Sequence, residues 1–346
     1  MNNHVPGVDS AVADCMPVQL DYVAPEEMCD FLQDRGRHVL GEIHFGTELR
    51  DMRAVAHPHV VIPMRQLGAS PLVEVWTCRA PVSYHRSGNI TFARNDEVLF
   101  GCLGYSAEDS RDIESAARNA YAGLLAVIEE QGCPNLLRMW NYFPEITRAS
   151  GDLDCYKRFC RGRFEALAEH YGEFDRMLPS ASAVGDTGGG LSVYFISTRV
   201  AGVHCENPRQ ISAYCYPPQY GPRSPSFARA TLKRWGTDVC LYISGTASIV
   251  GHESRHPGDP LAQVTETLHN LRALIESAGQ KEHARLYGLA NLVSLKVYVR
   301  NPEELGIIRQ GLDAAIDPQV PRLYLQADIC RTELLLEIEG IARATS

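Results

Sequence analysis

The pattern of apolar and polar residues predicts one order of elements twice along the chain, and the clearer copy lies in the second half. Apolar residues spaced three and four apart, such as Leu268 and Leu271, predict a long helix with Gly279 at its C-cap. A following run alternates valine and leucine with polar residues, as a strand does. The predicted elements are strand 238–251, helix 261–278, strand 292–299, helix 303–315, and strands 322–328 and 333–342.

The first half carries a weaker copy of this order. Its closing strands are joined by a glycine-rich run at 185–190. The predicted elements are strand 97–105, helix 111–131, strand 137–143, helix 156–171, and strands 181–184 and 191–197. We therefore expect an α+β fold with two tandem units, each a mixed sheet packed against two helices, with domains at 1–200 and 201–346. Before residue 95 the pattern predicts only strands at 60–64 and 73–77, without an assigned role.

Composition limits the class of function. The chain has 346 residues, of which 45% are hydrophobic and 22% are charged, as in ordinary globular proteins. Its 33 basic residues against 42 acidic ones give a net charge of −9, which disfavours nucleic-acid binding because phosphate contacts need a surplus of cations. No apolar run approaches the roughly 20 residues that a membrane-spanning helix needs.

Cysteine usage points to a reducing compartment. The eleven cysteines are an odd number, and the first fifteen residues show neither a cationic segment nor an apolar one typical of secretion signals. We expect the thiols to stay reduced, mostly as small buried apolar groups, and the protein to be cytoplasmic.

The most distinctive segment lies between the two copies, at 212–230. Its nineteen residues include three tyrosines, four prolines and two arginines. Proline fixes the backbone and removes donors, so we expect an ordered irregular loop rather than a flexible linker. Tyrosine hydroxyls and guanidinium groups recognise carboxylates, and the segment therefore predicts a binding site for an acidic ligand, although packing between domains is an alternative role.

Several phrases carry a resemblance to known families. The phrases ISGTASIVG, KVYVRNPEEL and LLLEIEGIA, in their order around the predicted helices, resemble the Rid/YjgF family over about residues 235–343 and more loosely over 95–200. The segment YCYPPQYGPRSPSFAR resembles the chorismatase family, whose members have a Rid-like fold, and this resemblance extends through SGTASIVGHESRHPGD, TLHNLRALIESAG and ADICRTELLLEIEG. It implies cleavage of the enolpyruvyl ether of chorismate, releasing pyruvate, in a site between the two units.

The resemblance also implies roles for individual residues. Arg161, Tyr216 and Arg229 match positions that hold the substrate carboxylates, and a dicarboxylate favours arginine because its guanidinium binds bidentately. Arg322 matches a carboxylate-binding arginine of the wider Rid family, with a less certain role here.

The catalytic acid is expected near the C-terminus. Enol ether cleavage needs an acid that is protonated near neutral pH, which burial can provide for a glutamate. The resemblance implies Glu337 as this acid, with Glu333 and Glu339 as spectators on the polar face of the same strand. The small Gly245 and the thiol of Cys330 resemble the chorismatases that form 3-hydroxybenzoate.

Other chemistries are weaker. His252 to His256 spell the H-E-x-x-H zinc pattern, but a preceding glycine and a following Pro-Gly pair disfavour the helix that the pattern requires. Cys155 and Cys160 lack a second pair of metal ligands, and the glycines at 188–190 lack the lysine of a phosphate loop. We therefore expect neither a metal nor a cofactor.

Three alternatives remain open from the sequence. The enzyme could be the hydrolytic type that forms a dihydroxycyclohexadiene acid, or a producer of mixed 3- and 4-hydroxybenzoate. A non-catalytic ligand-binding Rid protein or an enamine deaminase belongs to another class, which the second Rid-like copy and the tyrosine-proline segment disfavour. The sequence does not fix the oligomeric state, and a monomer is compatible with it.

Overall fold

The computed structural model describes residues 18–33, 36–46, 55–172 and 177–345. The start of the chain, interpreted above as lacking a secretion signal, lies outside these ranges. No helix in the described ranges is long and apolar enough to cross a bilayer.

The first unit is a six-stranded mixed sheet with two helices on one face. Its strand order is β11-β8-β12-β7-β6-β5, with β11 parallel to β8 and the other pairs antiparallel. Asp112 and Asp154 cap the helices by accepting backbone N–H groups, as N-cap residues do. The elements are β5 (Ser83–Ser87), β6 (Ile90–Arg94), β7 (Val98–Gly104), α2 (Ile113–Glu130), β8 (Asn135–Pro144), the short β9 (Ala149–Ser150) and β10 (Leu153–Asp154), α3 (Cys155–Tyr171), β11 (Ser180–Asp186) and β12 (Ser192–Thr198).

The second unit repeats this arrangement. Its strand order is β19-β18-β20-β15-β14-β13, again with one parallel pair, β18 and β19. The elements are β13 (Val203–Cys205), β14 (Ala230–Trp235), β15 (Asp238–Thr246), the short β16 (Ile249–Val250) and β17 (Glu253–Ser254), α4 (Pro260–Lys281), β18 (Leu292–Val299), α5 (Leu305–Asp313), β19 (Arg322–Gln326) and β20 (Leu336–Thr345). Matching strand orders confirm the predicted tandem α+β fold, while the boundary at residue 200 stays a prediction.

A smaller N-terminal sheet precedes both units and packs against them. Its strand order is β1-β4-β2-β3, and the rest of the N-terminal segment adds one short helix. Trp76 of this sheet packs into one core cluster with Trp140 of the first unit and Tyr242 of the second. The elements are β1 (Gln19–Val23), α1 (Met28–Leu32), β2 (His38–Phe45), β3 (His59–Ile62) and β4 (Val73–Cys78).

Three isolated bridges join the parts of the molecule. Ser180 pairs with Ala228 and Gly185 with Asp328, so that β11 lies against the second unit. Residue 66 pairs with 325, which attaches the N-terminal segment to the edge of β19. The faces of the two large sheets that carry no helices thus meet in a shared core, and this geometry brings β11, β15 and β20 together.

The sequence did not predict β5 and β6 in the first unit or β13 and β14 in the second, and some boundaries in the second unit also differ from the prediction. Helix α4 continues past Gly279 to Lys281. The glycine lies inside the helix, where a Cβ would stand 2.2 Å from the Leu286 carbonyl oxygen, so its role is close packing rather than capping. The last strand begins at Leu336 rather than residue 333. Residues 330–334 instead form a turn that reaches the cavity described next.

Candidate active site

A cavity of about 280 Å³ lies between the two large units. The first unit contributes Tyr156 and Arg163 from α3 and Ser182 from β11, while the second contributes Gly245 from β15 and Glu337 from β20. The volume is close to the lower end of small-molecule sites, at about 300 Å³. Neither unit could form this cavity alone, since its walls come from both.

Glu337 lies on the cavity wall with only 6% of its surface exposed. Burial, together with the neighbouring anion Glu339, raises its pKa from 4.5 to about 8, although Arg138 and Arg229 act in the opposite direction. No hydrogen bond reaches its carboxyl from any residue that the structure describes. The raised pKa of Glu337 favours the protonated form of this carboxyl at neutral pH, and the side chain borders the cavity.

Gly245 makes room for this carboxyl. A Cβ at residue 245 would stand 1.8 Å from Oε1 of Glu337, well inside van der Waals contact. The backbone N–H of Gly245 donates to Ser182 Oγ at 2.9 Å, which fixes this part of β15 against β11. Any larger residue at position 245 would displace the acid.

Glu339 has a different environment from Glu337, two residues earlier on the same strand. Its carboxylate accepts hydrogen bonds from Arg138 Nη2 at 2.8 Å and Trp140 Nε1 at 2.6 Å, and Lys296 Nζ lies 3.1 Å away. These charges keep its pKa below the ordinary value despite burial. The negative charge of Glu339 contributes to the raised pKa of Glu337, and its role as a spectator in the reaction stays a prediction.

Arg229 and Tyr216 form a cationic wall of the cavity. Arg229 Nη2 donates to Tyr216 Oη at 2.7 Å and to the Ile211 carbonyl at 2.9 Å. Its Nε is buried without a hydrogen-bond partner among the described residues. Because Arg229 also borders the cavity, its guanidinium is a candidate group for binding an acidic ligand.

The 212–230 segment covers the cavity as an ordered loop. It contains two 3₁₀ turns, Ala213–Cys215 and Pro218–Tyr220, and its Tyr216, Tyr220 and Phe227 line the cavity. The guanidinium of Arg331 lies 4.2 Å above the Tyr220 ring. The aromatic loop is therefore held against the 330–334 turn.

Cys330 lies in that turn and lines the cavity. Burial raises the pKa of its thiol from 9.0 to about 12, with a further contribution from the nearby Glu337. The group is thus a neutral thiol at physiological pH, which can contact a ligand but is a poor nucleophile.

The chain is similar to proteins of a known family over most of its length. Residues 74–197 match the family model described as chorismatase FkbO/Hyg5-like, N-terminal. A 3-hydroxybenzoate synthase of Streptomyces hygroscopicus is 37% identical over 316 residues, 88% of this chain and 92% of the relative. The chain belongs to the chorismatase family. A second relative, a chorismatase of Streptomyces rapamycinicus, is 38% identical over 78% of this chain and 81% of its own length.

A solved chorismatase structure agrees with the whole architecture. It superposes with a TM-score of 0.86 at 33% identity and covers 95% of this chain and 99% of its own. This chorismatase fold includes the N-terminal sheet as well as the two large units. The family assignment therefore applies to the complete described chain.

One predicted anchor of this chorismatase site is wrong. Arg161 points away from the cavity and donates to both carboxylate oxygens of Glu114 on α2. Arg163, two residues later, lines the cavity instead, is 1% exposed, and has a buried Nε without a hydrogen-bond partner among the described residues. Residues two apart on a helix point about 200° away from each other, so only one arginine of the pair can face the cavity.

Other predicted candidates lie outside the chorismatase cavity. Arg322 pairs with Asp313 and donates to the Ile316 carbonyl at 2.8 Å. The H-E-x-x-H letters do not form a helix, since residues 249–254 form the short β16–β17 hairpin. No group of three potential metal ligands occurs in the described ranges.

Sequence reasoning also missed Tyr156 and Lys296. Tyr156 lines the cavity from the first turn of α3, where burial raises the pKa of its hydroxyl well above 10.0. Lys296 lies in the middle of the apolar strand β18 with 2% exposure. A lysine in the middle of an apolar strand could have indicated a buried charge cluster, because a buried cation requires buried anions as partners.

Proposed function

We propose that this enzyme cleaves the enolpyruvyl ether of chorismate and releases pyruvate and 3-hydroxybenzoate. The observation that carries the proposal is a buried carboxyl with a raised pKa, Glu337, in the same cavity as two buried arginines, Arg163 and Arg229. Chorismate carries two carboxylates and an acid-labile enol ether, so it matches both features. The names of the relatives, 3-hydroxybenzoate synthase and chorismatase, support the same substrate.

The arginines are assigned to binding. Each has a buried Nε without a hydrogen-bond partner among the described residues, and each borders the cavity from a different unit. Bidentate guanidinium–carboxylate pairs would fix both ends of the substrate. Tyr216, already bonded to Arg229, would add a hydroxyl at that end.

Glu337 is assigned as the general acid. It donates its proton to the methylene carbon of the enolpyruvyl group, whose π electrons form the new C–H bond and leave an oxocarbenium ion. An acid with a pKa of about 8 is protonated at neutral pH and can be restored in each cycle.

The remaining steps need no water. The neighbouring ring hydroxyl oxygen attacks the ring carbon that bears the ether, the C–O bond breaks, and its electron pair leaves with pyruvate. The hydroxyl proton returns to Glu337, and the resulting epoxide isomerises to 3-hydroxybenzoate. Both products together contain all the atoms of chorismate.

Cys330 and Gly245 are assigned to product choice. Cys330 borders the cavity as a neutral thiol and would contact the ring while the epoxide collapses. Gly245 has no side chain and therefore leaves room for the Glu337 carboxyl in its present position. We also propose a cytoplasmic location, which is supported by nine described cysteines, such as Cys205 and Cys330, that are free thiols.

The test is product identification with chorismate by mass spectrometry and NMR. Equimolar pyruvate and 3-hydroxybenzoate are expected, with most turnover lost in Glu337→Gln. The matched control is Glu333→Gln, which alters a carboxyl at the cavity rim that is not buried like Glu337. Unconsumed chorismate would overturn the proposal, and a dihydroxycyclohexadiene acid as sole product would overturn the subtype.

A further inference from the structure

A chain of buried charges leads from the N-terminal sheet to the catalytic acid. Glu74 of β4 lies 2.6 Å from Lys296 Nζ of β18, which in turn lies 3.1 Å from Glu339 of β20. Arg138 of β8 holds the other oxygen of Glu339 at 2.8 Å. All four side chains are at most 6% exposed, so their charges are poorly screened by water.

Neutral donors hold these charges in place. Glu74 accepts hydrogen bonds from Trp76 Nε1 at 2.8 Å and from Tyr194 Oη at 3.0 Å. Lys296 Nζ donates to Tyr194 Oη at 2.8 Å. The cluster is therefore an ordered network that spans all three sheets of the molecule.

The four charges of this cluster balance one another without Glu337, and Arg229 of the cavity is the cation outside the cluster that acts on Glu337. Glu74 and Glu339 are two anions and Lys296 and Arg138 are two cations, so an ionised Glu337 would add a third buried anion. An uncompensated buried charge is strongly unfavourable. Removal of Glu74 would leave one excess cation and make ionisation of Glu337 easier.

We propose that Glu74 and Glu339 are positioning residues whose negative charges keep Glu337 protonated, with Lys296 holding the two anions in place, which makes the N-terminal sheet part of the catalytic apparatus. This inference rests on the proposed role of Glu337 as general acid. Glu74 acts through Lys296 and Glu339 and does not touch the cavity. The sheet that the sequence left without a role thereby contributes to catalysis.

Other ionisable groups near the cluster do not change this balance at neutral pH. Tyr156 of α3 and Cys330 of the 330–334 turn act on Glu337 as neutral groups, since their pKa values are raised. Arg229, the remaining cation that acts on Glu337, belongs to the substrate site and is common to all variants proposed below. The pKa of each tyrosine hydroxyl around Lys296 is raised, so these hydroxyls are also neutral. They belong to Tyr22, Tyr142, Tyr194 and Tyr298.

The first test is the pH dependence of kcat/KM with chorismate. A required acid makes activity fall above its pKa, and Glu74→Gln should move this alkaline limb to lower pH by about one unit. The double variant Glu74→Gln/Lys296→Met removes both charges of the pair and should return the limb toward that of the wild type. Tyr194→Phe removes a hydrogen bond to Glu74 without changing charge and should leave the limb in place.

A second variant gives the opposite sign. Arg138→Gln removes a cation next to Glu339 and should move the limb to higher pH, so the inference stays testable if Glu74→Gln fails to fold. Infrared spectroscopy of the resting enzyme provides a readout without substrate, by following the carboxylic acid band that Glu337→Gln abolishes. That band should disappear at lower pH in Glu74→Gln than in the wild type.

The outcomes separate the two proposals. A wild type that converts chorismate, together with limbs and bands that do not move in either charge variant, would overturn the inference and leave the proposed function standing. A wild type that does not consume chorismate would overturn the proposed function, whatever the infrared titration shows.

Discussion

Replacing Glu337, the proposed general acid, should stabilise the protein as it abolishes turnover. In the folded state Glu337 has a pKa of about 8, against an ordinary 4.5. The folded state therefore holds a proton that the unfolded state has lost between these two pH values, and stability falls as pH rises through this window. At about 1.4 kcal/mol per pH unit, the full effect is about 5 kcal/mol. Glutamine has nearly the same shape and does not titrate.

The assay is urea unfolding of the wild type and Glu337→Gln at pH 5.5 and pH 8.5. The advantage of the variant in free energy of unfolding should grow by about 3 kcal/mol between these two conditions, because most of the window lies between them. Glu333→Gln is the matched control. The pKa of Glu333 is below its ordinary value, so this carboxyl is ionised in both states throughout the range and the difference should stay constant.

A difference between wild type and Glu337→Gln that is equal at both pH values would refute the reasoning. It would mean that Glu337 ionises in the folded protein as it does in the unfolded chain. The general-acid assignment would then lose its physical basis, since the residue would be a carboxylate at neutral pH.

Three further predictions concern turnover, binding and product. Gly245→Ala should displace the Glu337 carboxyl and lower kcat about tenfold or more, whereas a normal kcat would show that the acid adapts. Arg163→Lys should raise KM for chorismate about tenfold or more, while Arg161→Lys should stay within about twofold; equal effects would contradict the assignment. Cys330→Ala should shift products toward the dihydroxycyclohexadiene acid on chromatography, and an unchanged mixture would leave the thiol as packing.

Periodicity predicted both long helices and four strands of each unit, but it missed β5, β6, β13 and β14 and did not show how the elements assemble. The apolar stripes of α2 and α4 are local signals, and they gave both helices within a few residues. The attachment of residues 65–67 to β19 depends on backbone pairing across more than two hundred residues, which leaves no periodic trace. The role proposed for the N-terminal sheet rests on another long-range contact, the ion pair of Glu74 with Lys296.

The site was predictable where one strand face or one helix face decided it. Alternation along the last strand indicated the face that carries Glu337, but Arg161 was named from the resemblance alone, and the structure places it on the face of α3 that is turned away from the cavity. Arg163 is four residues from both Phe159 and Leu167, in the buried stripe of the helix, whereas Arg161 is outside it. Helical spacing alone was enough to prefer Arg163.

Glu337 and Glu339 show why the face alone does not determine the chemistry. They lie two residues apart on one face of β20 and are almost equally buried, at 6% and 4% exposure. Glu339 has two cations and two neutral donors and stays ionised, while Glu337 has no hydrogen bond from the described residues and stays protonated. The partners of Glu339 come from β8, β11 and β18. One strand thus carries a fixed anion and a proton donor, and tertiary contacts with distant strands determine which carboxyl has which role.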